Sequence, residues 1–187
     1  MTAQIGDCYK YRGWEYTIVA QSDSLDIHPT LFGIVPKAAT SACWSGFWCV
    51  YDIRKDGIYL KDLYVCSKDD LYPTINGKKP VTCADGSEWS YMGHHLYCNL
   101  NYRVPYTGRL LVGRGFLSKY YIHMGYQKPW SYRKLKELIF EEGVLVEVID
   151  QSRVAAQLRR KIKKENLYRV GFIDGCVSLD ETDLWWL

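Results

Sequence analysis

Three runs of strand-forming residues in this chain turn at a charged residue followed by glycine: Arg12-Gly13, Asp56-Gly57 and Glu142-Gly143. Such pairs supply the positive backbone angles of a tight hairpin, so the punctuation commits the chain to a mainly β (α+β) fold of short antiparallel hairpins. The segment CYKYRGWEYTIVA reads as the first hairpin, with Trp14, Tyr16 and Ile18 on one face of its second strand. GFWCVYDI and IYLKDLYV flank the second turn. Phe47, Cys49, Tyr51 and Ile53 share one face of the first of these strands, while Trp48 and Val50 occupy the other, so the strand is expected to be covered on both sides.

Further along, RLLVG and FLSKYYIHMG read as a hairpin around Gly113-Arg114-Gly115, and RKLKELIFEEGVLVEVI turns at Glu142-Gly143. Leu135, Leu138 and Ile139 would also suit a helix starting after Ser131. An internal echo favours the strand: Trp44-Ser45 precedes Gly57 by the same spacing with which Trp130-Ser131 precedes Gly143. The expectation is one domain over 1–187, with two meander-like hairpin-loop-hairpin halves, 8–66 and 109–149, pseudo-duplicated and joined by an irregular 68–105 segment. Residues 151–165 are expected to be the single helix, capped by Asp150 or Ser152 and docked through Val154, Leu158 and Ile162. Its other faces carry Arg153, Arg159, Arg160, Lys161, Lys163 and Lys164, read either as a solvated face or as a phosphate- or partner-binding one. A C-terminal strand and tail take up 167–187, with Trp185, Trp186 and Leu187 either packed back on the domain or engaging a partner.

Composition narrows the function. A formal net charge of +3 is too small to argue for nucleic acid, and no apolar run is long enough to span a bilayer. The first residues lack the apolar stretch of a signal peptide, so a cytoplasmic protein with reduced thiols is expected. The seven cysteines contain no C-x-x-C pair, so neither a zinc site nor any other metal or cofactor is expected. His28, His94, His95 and His123 are scattered, and no H-E-x-x-H, G-x-S-x-G or phosphate-cradling glycine loop occurs. No catalytic residue is assigned.

Binding is better motivated, because 16 Tyr and 7 Trp make the chain rich in flat rings with polar handles. Alternation along 116–123 puts Phe116, Tyr120 and Ile122 on an inward face and Lys119, Tyr121 and His123 on an outward one. The next turn presents Tyr126 and Trp130, and Arg103, Arg109, Arg114 and Arg133 lie in the same stretch. Rings beside fixed cations suit an anionic, base-containing ligand: stacking contributes about 1–3 kcal/mol per base and a charge-assisted hydrogen bond about 1.5–3 kcal/mol. The expected ligand-binding residues are Lys119, Tyr121, His123, Tyr126, Trp130, Arg109, Arg133, Arg103 and Trp44.

The segments SACWSGF (41–47), YTGRLLVGRGF (106–116) and YIHMGYQKPWSY (121–132) resemble those of a family of uncharacterised bacterial proteins, with relatives in phage. The resemblance covers residues 8–150 and supports the segmentation. It carries over no activity. The function expected is therefore non-enzymatic binding of a nucleotide-like signalling molecule, as in a sponge that antagonises a defence pathway. Two alternatives stand beside it. One is an immunity or regulatory module that engages a protein partner, or a second copy, through the 185–187 tail. The other is a hydrolase or phosphodiesterase using His123 or His94.

Overall fold

The computed structural model describes residues 2–54, 56–84, 86–87, 89–164 and 185–186. Strands β1 (Cys8–Tyr11) and β2 (Trp14–Gln21) form the first hairpin, and β3 (Phe47–Arg54) and β4 (Gly57–Val65) the second. Then follow β5 (Val81–Thr82), β6 (His95–Tyr97), β7 (Tyr102–Val104), β8 (Gly108–Phe116), β9 (Tyr132–Glu141) and β10 (Val144–Asp150). All join one sheet in the order β10-β9-β8-β2-β1-β3-β4-β6-β5, with β7 also paired to β4. The fold is mainly β with a single described helix, α1 (Ser152–Lys164).

Two hairpins turn on the same chemistry. Arg12 and Gly13 have φ of 49° and 78°, Glu142 and Gly143 of 49° and 82°, the paired left-handed conformation that matches the twist of the flanking strands. The 133–141 segment is a strand, as the echo favoured. The hairpin expected around Gly113-Arg114-Gly115 does not form: β8 runs straight through these residues. One edge of β8 is taken by β2 and the other by β9, so 116–123 has no edge to pair with. It makes instead a 3-10 turn at Ser118–Tyr120 and then irregular chain. The second half thus contributes one strand and one hairpin.

The sheet coils so that one face becomes an enclosed core. Tyr9, Tyr51, Ile58, Leu60, Tyr97, Leu110, Leu138 and Phe140 all pack there. Ile58 N–H donates to Gly143 O at 3.1 Å, and Gly143 N–H to Tyr106 O at 2.6 Å, tying the β9–β10 turn to the start of β4.

The outer face carries two smaller clusters. Over β8 and β9, Leu111 and Leu135 meet Leu158 and Ile162 of α1 with Tyr120, Trp130 and Trp186. Over β1 and β3, Cys8, Trp48 and Val50 pack with Cys43 and Met92. Of the two expected helix caps, Asp150 serves, its Oδ1 accepting from Ser152 N–H (2.8 Å); Ser152 is the first helical residue, and its Oγ instead accepts from Leu135 N–H (3.1 Å), tying the start of α1 to β9. The expected C-terminal strand at 167 onward lies outside the described residues. The tail tryptophans pack back: Trp186 is buried and Trp185 Nε1 donates to Glu137 Oε1 at 2.7 Å. No helix among the described residues is long and apolar enough to cross a membrane.

Trp130 is therefore a core residue, 5% exposed and edge-on to Tyr120 at 5.6 Å. Trp130→Ala is expected to cost about 3–5 kcal/mol of stability, read as a lowered urea midpoint. A midpoint within error of the parent would remove Trp130 from the core.

Candidate binding site

The residues expected to line one face fall in separate places. Lys119 lies against the Tyr120 ring (4.9 Å) on the 3-10 turn, not on a strand. Tyr121 and His123 are exposed and meet edge to face at 5.2 Å. They lie beside the N-terminal segment, where Ala3 N–H donates to Tyr121 Oη and Gln4 N–H to Gly125 O. Gln4 also accepts from Trp44 N–H at 3.0 Å, so the Trp44 loop and Tyr126 flank the same short segment. Arg109 reaches Glu137 (3.7 Å) at the far end of β8, and Arg103 donates to Asp56 O at 3.4 Å. Arg133 stands alone at the start of β9, its Cβ beside Gly115. Trp130 is buried and offers no ring to a ligand. The loss of a 116–123 strand is what scatters the set.

A different part of the sheet brings rings and cations together. At the β1–β2 turn and the end of β8, the guanidinium of Arg114 lies over Trp14 at 3.8 Å and near Tyr16 at 5.8 Å. Tyr16 contacts Tyr9 (6.1 Å), Tyr9 stacks on Tyr11 (6.0 Å), and Tyr11 is approached by Arg12 (5.1 Å) and by Lys136 (5.6 Å) reaching across from β9. Lys134 stands directly opposite Arg114 in the β8–β9 ladder, hence on the same face.

Four cations, Arg12, Arg114, Lys134 and Lys136, gather at the mouth formed by these strand ends, with Asp150 acting on the two lysines and Asp52 on Tyr9 from nearby. Among the described residues no carboxylate comes within salt-bridge distance of Arg12, Arg114, Lys134 or Lys136. Asp150, opposite Lys136 in register, is held below the usual carboxylate range first by the Ser152 side chain, then by Ser152 N–H, and then by the charges of Lys134 and Lys136. Two polar atoms here are buried without a hydrogen-bond partner among the described residues: Tyr9 Oη and Arg114 Nη1. Burial, then the neighbouring Tyr11 and Tyr16, holds the Tyr9 phenol protonated far above its ordinary range. It is therefore a standing donor. A buried donor left unpaired costs about 1–3 kcal/mol.

On the outer face below the same strand ends lies a slot of about 180 Å³. Stacked Trp48 and Trp89 (4.7 Å) contribute to one wall, and Phe116 with Tyr132 (5.5 Å) to another. Its floor includes Gly113, where any Cβ would fall 2.5 Å from the Tyr132 ring. The slot is smaller than the roughly 300–1,000 Å³ of pockets that hold whole drug-sized ligands. Arg114 and Tyr16 are among its lining residues, so slot and mouth meet at the strand ends.

At the other end of β1 the sheet has a gap. β1 has four residues between two eight-residue neighbours, so β2 and β3 continue past its start with no strand between them. Asp7 occupies that point. Its backbone O accepts from Ile18 N–H (2.8 Å) and its Oδ1 from Cys49 N–H (2.9 Å). Two cavities of about 330 and 370 Å³ share Asp7, Gln21 and Phe47 as walls. Desolvation pushes the Asp7 carboxyl up to about 6, against the smaller opposing pull of the Cys49 N–H.

The histidines offer no hydrolytic arrangement: among the described residues none hydrogen-bonds a carboxylate, and no group of three metal-ligating side chains assembles. Comparisons with protein-family models, with curated proteins and with solved structures find no match. The reading of function therefore rests on geometry.

The Asp7 carboxyl sets a pH dependence. Its folded value lies above the unfolded one, so the folded state binds the extra proton between about pH 4 and 6 and stability falls as pH rises through that window. Asp7→Asn removes the buried charge and keeps the acceptor for Cys49 N–H. The variant is expected to be more stable than the parent at pH 8, by on the order of 2 kcal/mol, with the difference gone near pH 4. Denaturant titrations at the two pH values check this; a difference independent of pH would refute it.

Proposed function

We propose that the cation-bearing, ring-lined mouth binds a small anionic, nucleotide-like molecule and does no chemistry on it. The observation that carries the reading is the Arg114 guanidinium, one nitrogen of which has no hydrogen-bond partner among the described residues, over the exposed ring of Trp14. Phosphate oxygens accept from such a guanidinium. A guanidinium already held over the Trp14 ring, 3.8 Å from its centroid, has less orientational freedom left to lose on binding, which favours a bidentate contact. Trp14 remains 57% exposed, leaving ring surface on which a base can stack. Lys134, Lys136 and Arg12 add charge that attracts an anion before contact. A protein that holds such a molecule without turning it over would act as a sponge for it.

This reading keeps the chemistry expected from the sequence and moves it to other residues. Of the residues first expected, Arg133 lies beside Gly115, the residue after Arg114. The partner-binding alternative loses part of its motive. Trp185 and Trp186 are engaged within the chain, and Arg159 of α1 donates to Trp130 O (2.7 Å) and Tyr132 O (2.8 Å).

A thermal-shift panel of linear and cyclic nucleotides tests the proposal. At least one member at millimolar concentration is expected to stabilise the parent protein. Arg114→Ala is expected to weaken that ligand about 10- to 100-fold, the equivalent of one charge-assisted hydrogen bond at about 1.5–3 kcal/mol. Trp14→Ala is expected to weaken it less, and added salt to weaken it in the parent. No stabilisation by any member, or equal stabilisation of the Arg114→Ala variant, would end this reading.

A further inference from the structure

The gap under β1 differs in character from the mouth. Neither of its cavities is lined by any lysine or arginine. On the outer side the walls are Ile5, Ile18, Val19, Ala20 and Phe47, with Gln21, Ser45 and Tyr126 at polar positions. On the inner side they include Leu25, Ile27, His28 and Tyr51. The charged or titratable groups lining the gap besides Asp7 are therefore Asp26, His28, Tyr51 and Tyr126, with the Cys49 thiol packed behind the carboxyl. Asp7 makes no ion pair among the described residues. One carboxyl oxygen takes the Cys49 N–H. The Tyr126 phenol is raised by burial and then by the nearby Asp7 charge, which places the ring on the same opening.

The Asp7 carboxyl, set between apolar and aromatic walls with Asp26 also on the inner cavity and no lysine or arginine in the lining, selects by charge and by shape. An anion is repelled there, and a neutral apolar molecule leaves the carboxyl without a counter-charge. An N–H donor cation gives it both a partner and a charge-assisted hydrogen bond, while the walls accept a flat body. We propose that this gap is a second ligand site, independent of the mouth, which takes a small organic cation: an ammonium or amidinium head on Asp7, with a flat apolar body against Phe47 and Tyr126. Binding fills the space in the sheet that a longer β1 would occupy.

Benzamidine and its neutral counterpart benzyl alcohol are the probes, with the full chain followed by amide NMR and thermal shift. Benzamidine is expected to perturb the amides of Asp7, Phe47 and Tyr126 and to raise the melting temperature, with benzyl alcohol at least about tenfold weaker. Asp7→Asn keeps the shape and the acceptor for Cys49 N–H, and is expected to bind benzamidine about tenfold more weakly or worse. Equal binding by Asp7→Asn, equal binding of the neutral probe, or no perturbation of the parent at millimolar benzamidine overturns the proposal. If Asp7→Asn does not fold, the map on the parent decides: perturbations at Arg114 and Trp14 instead of Asp7 and Phe47 overturn it equally. Because Arg114→Ala leaves this gap untouched, loss of nucleotide binding and loss of benzamidine binding are separable results.

Discussion

A strand of four residues joins the two parts of the sheet. β1 pairs antiparallel with β2 and parallel with β3, and in the sheet order nothing else lies between the β10-β9-β8-β2 group and the β3-β4-β6-β5 group. The parallel pairing is the unusual element, since the β2–β3 connection is a long loop with no crossover helix of the usual kind. The junction is reinforced at both ends of the coil. Asp7 extends the pairing by one side-chain acceptor on Cys49 N–H, and the Gly143 contacts with Ile58 and Tyr106 hold the outer strands together. The close approach at Gly143 also excludes a side chain, since a Cβ there would lie 2.9 Å from Val104 O.

The brevity of β1 generates both candidate sites. Its upper end turns at once into β2, so Tyr9, Tyr11, Trp14 and Tyr16 crowd one face within a few residues and meet Arg114 from the neighbouring strand. Its lower end stops before its neighbours do and leaves the gap lined by Phe47, Ile18 and Gln21. Tyr9, buried under the ring cluster, and Asp7, on the gap, thus stand two residues apart with surroundings of different character. Cys8 between them points to the outer face, where burial, then the charge on Glu15, pushes its thiol up to about 12 and keeps it a packing group.

Local features of the sequence were legible because their causes are local. The Arg12-Gly13 and Glu142-Gly143 turns, the α1 stripe of Val154, Leu158 and Ile162, and the two-sided burial of β3 each follow from residues close in the chain. The strand expected at 116–123 failed for a reason no local pattern carries: both edges of β8 were already taken, so an alternating segment had nothing to pair with. That error displaced the site. Lys119, Tyr121, His123 and Trp130 look like a row only if the segment is extended. Arg114 was visible as one arginine among four, and Trp14 with Tyr16 as a shared face, but their meeting depends on β2 pairing with β8, a contact between the two halves. Asp7 gave no signal at all, because a single aspartate before a strand is ordinary; its isolation comes from what β2 and β3 do around it.

These features cost the fold stability. A chain selected only for stability would answer Tyr9 Oη and Arg114 Nη1 internally, or replace the tyrosine with phenylalanine and lose an orphan donor. It would also lengthen β1 to fill the gap, or place an amide at position 7, which keeps the Cys49 hydrogen bond without a buried charge. Instead the unsatisfied phenol of Tyr9 and the desolvated carboxyl of Asp7 lie on and just before the strand that joins the sheet, and the unpaired guanidinium nitrogen of Arg114 lies two strands away on β8. Buried atoms without a partner occur elsewhere too, at His95 Nδ1 of β6 and at Trp186 Nε1, so what sets Tyr9 and Arg114 apart is the company of rings and cations around them. A ligand on either opening would then stabilise the junction itself, so occupancy and folding stability should be linked through β1.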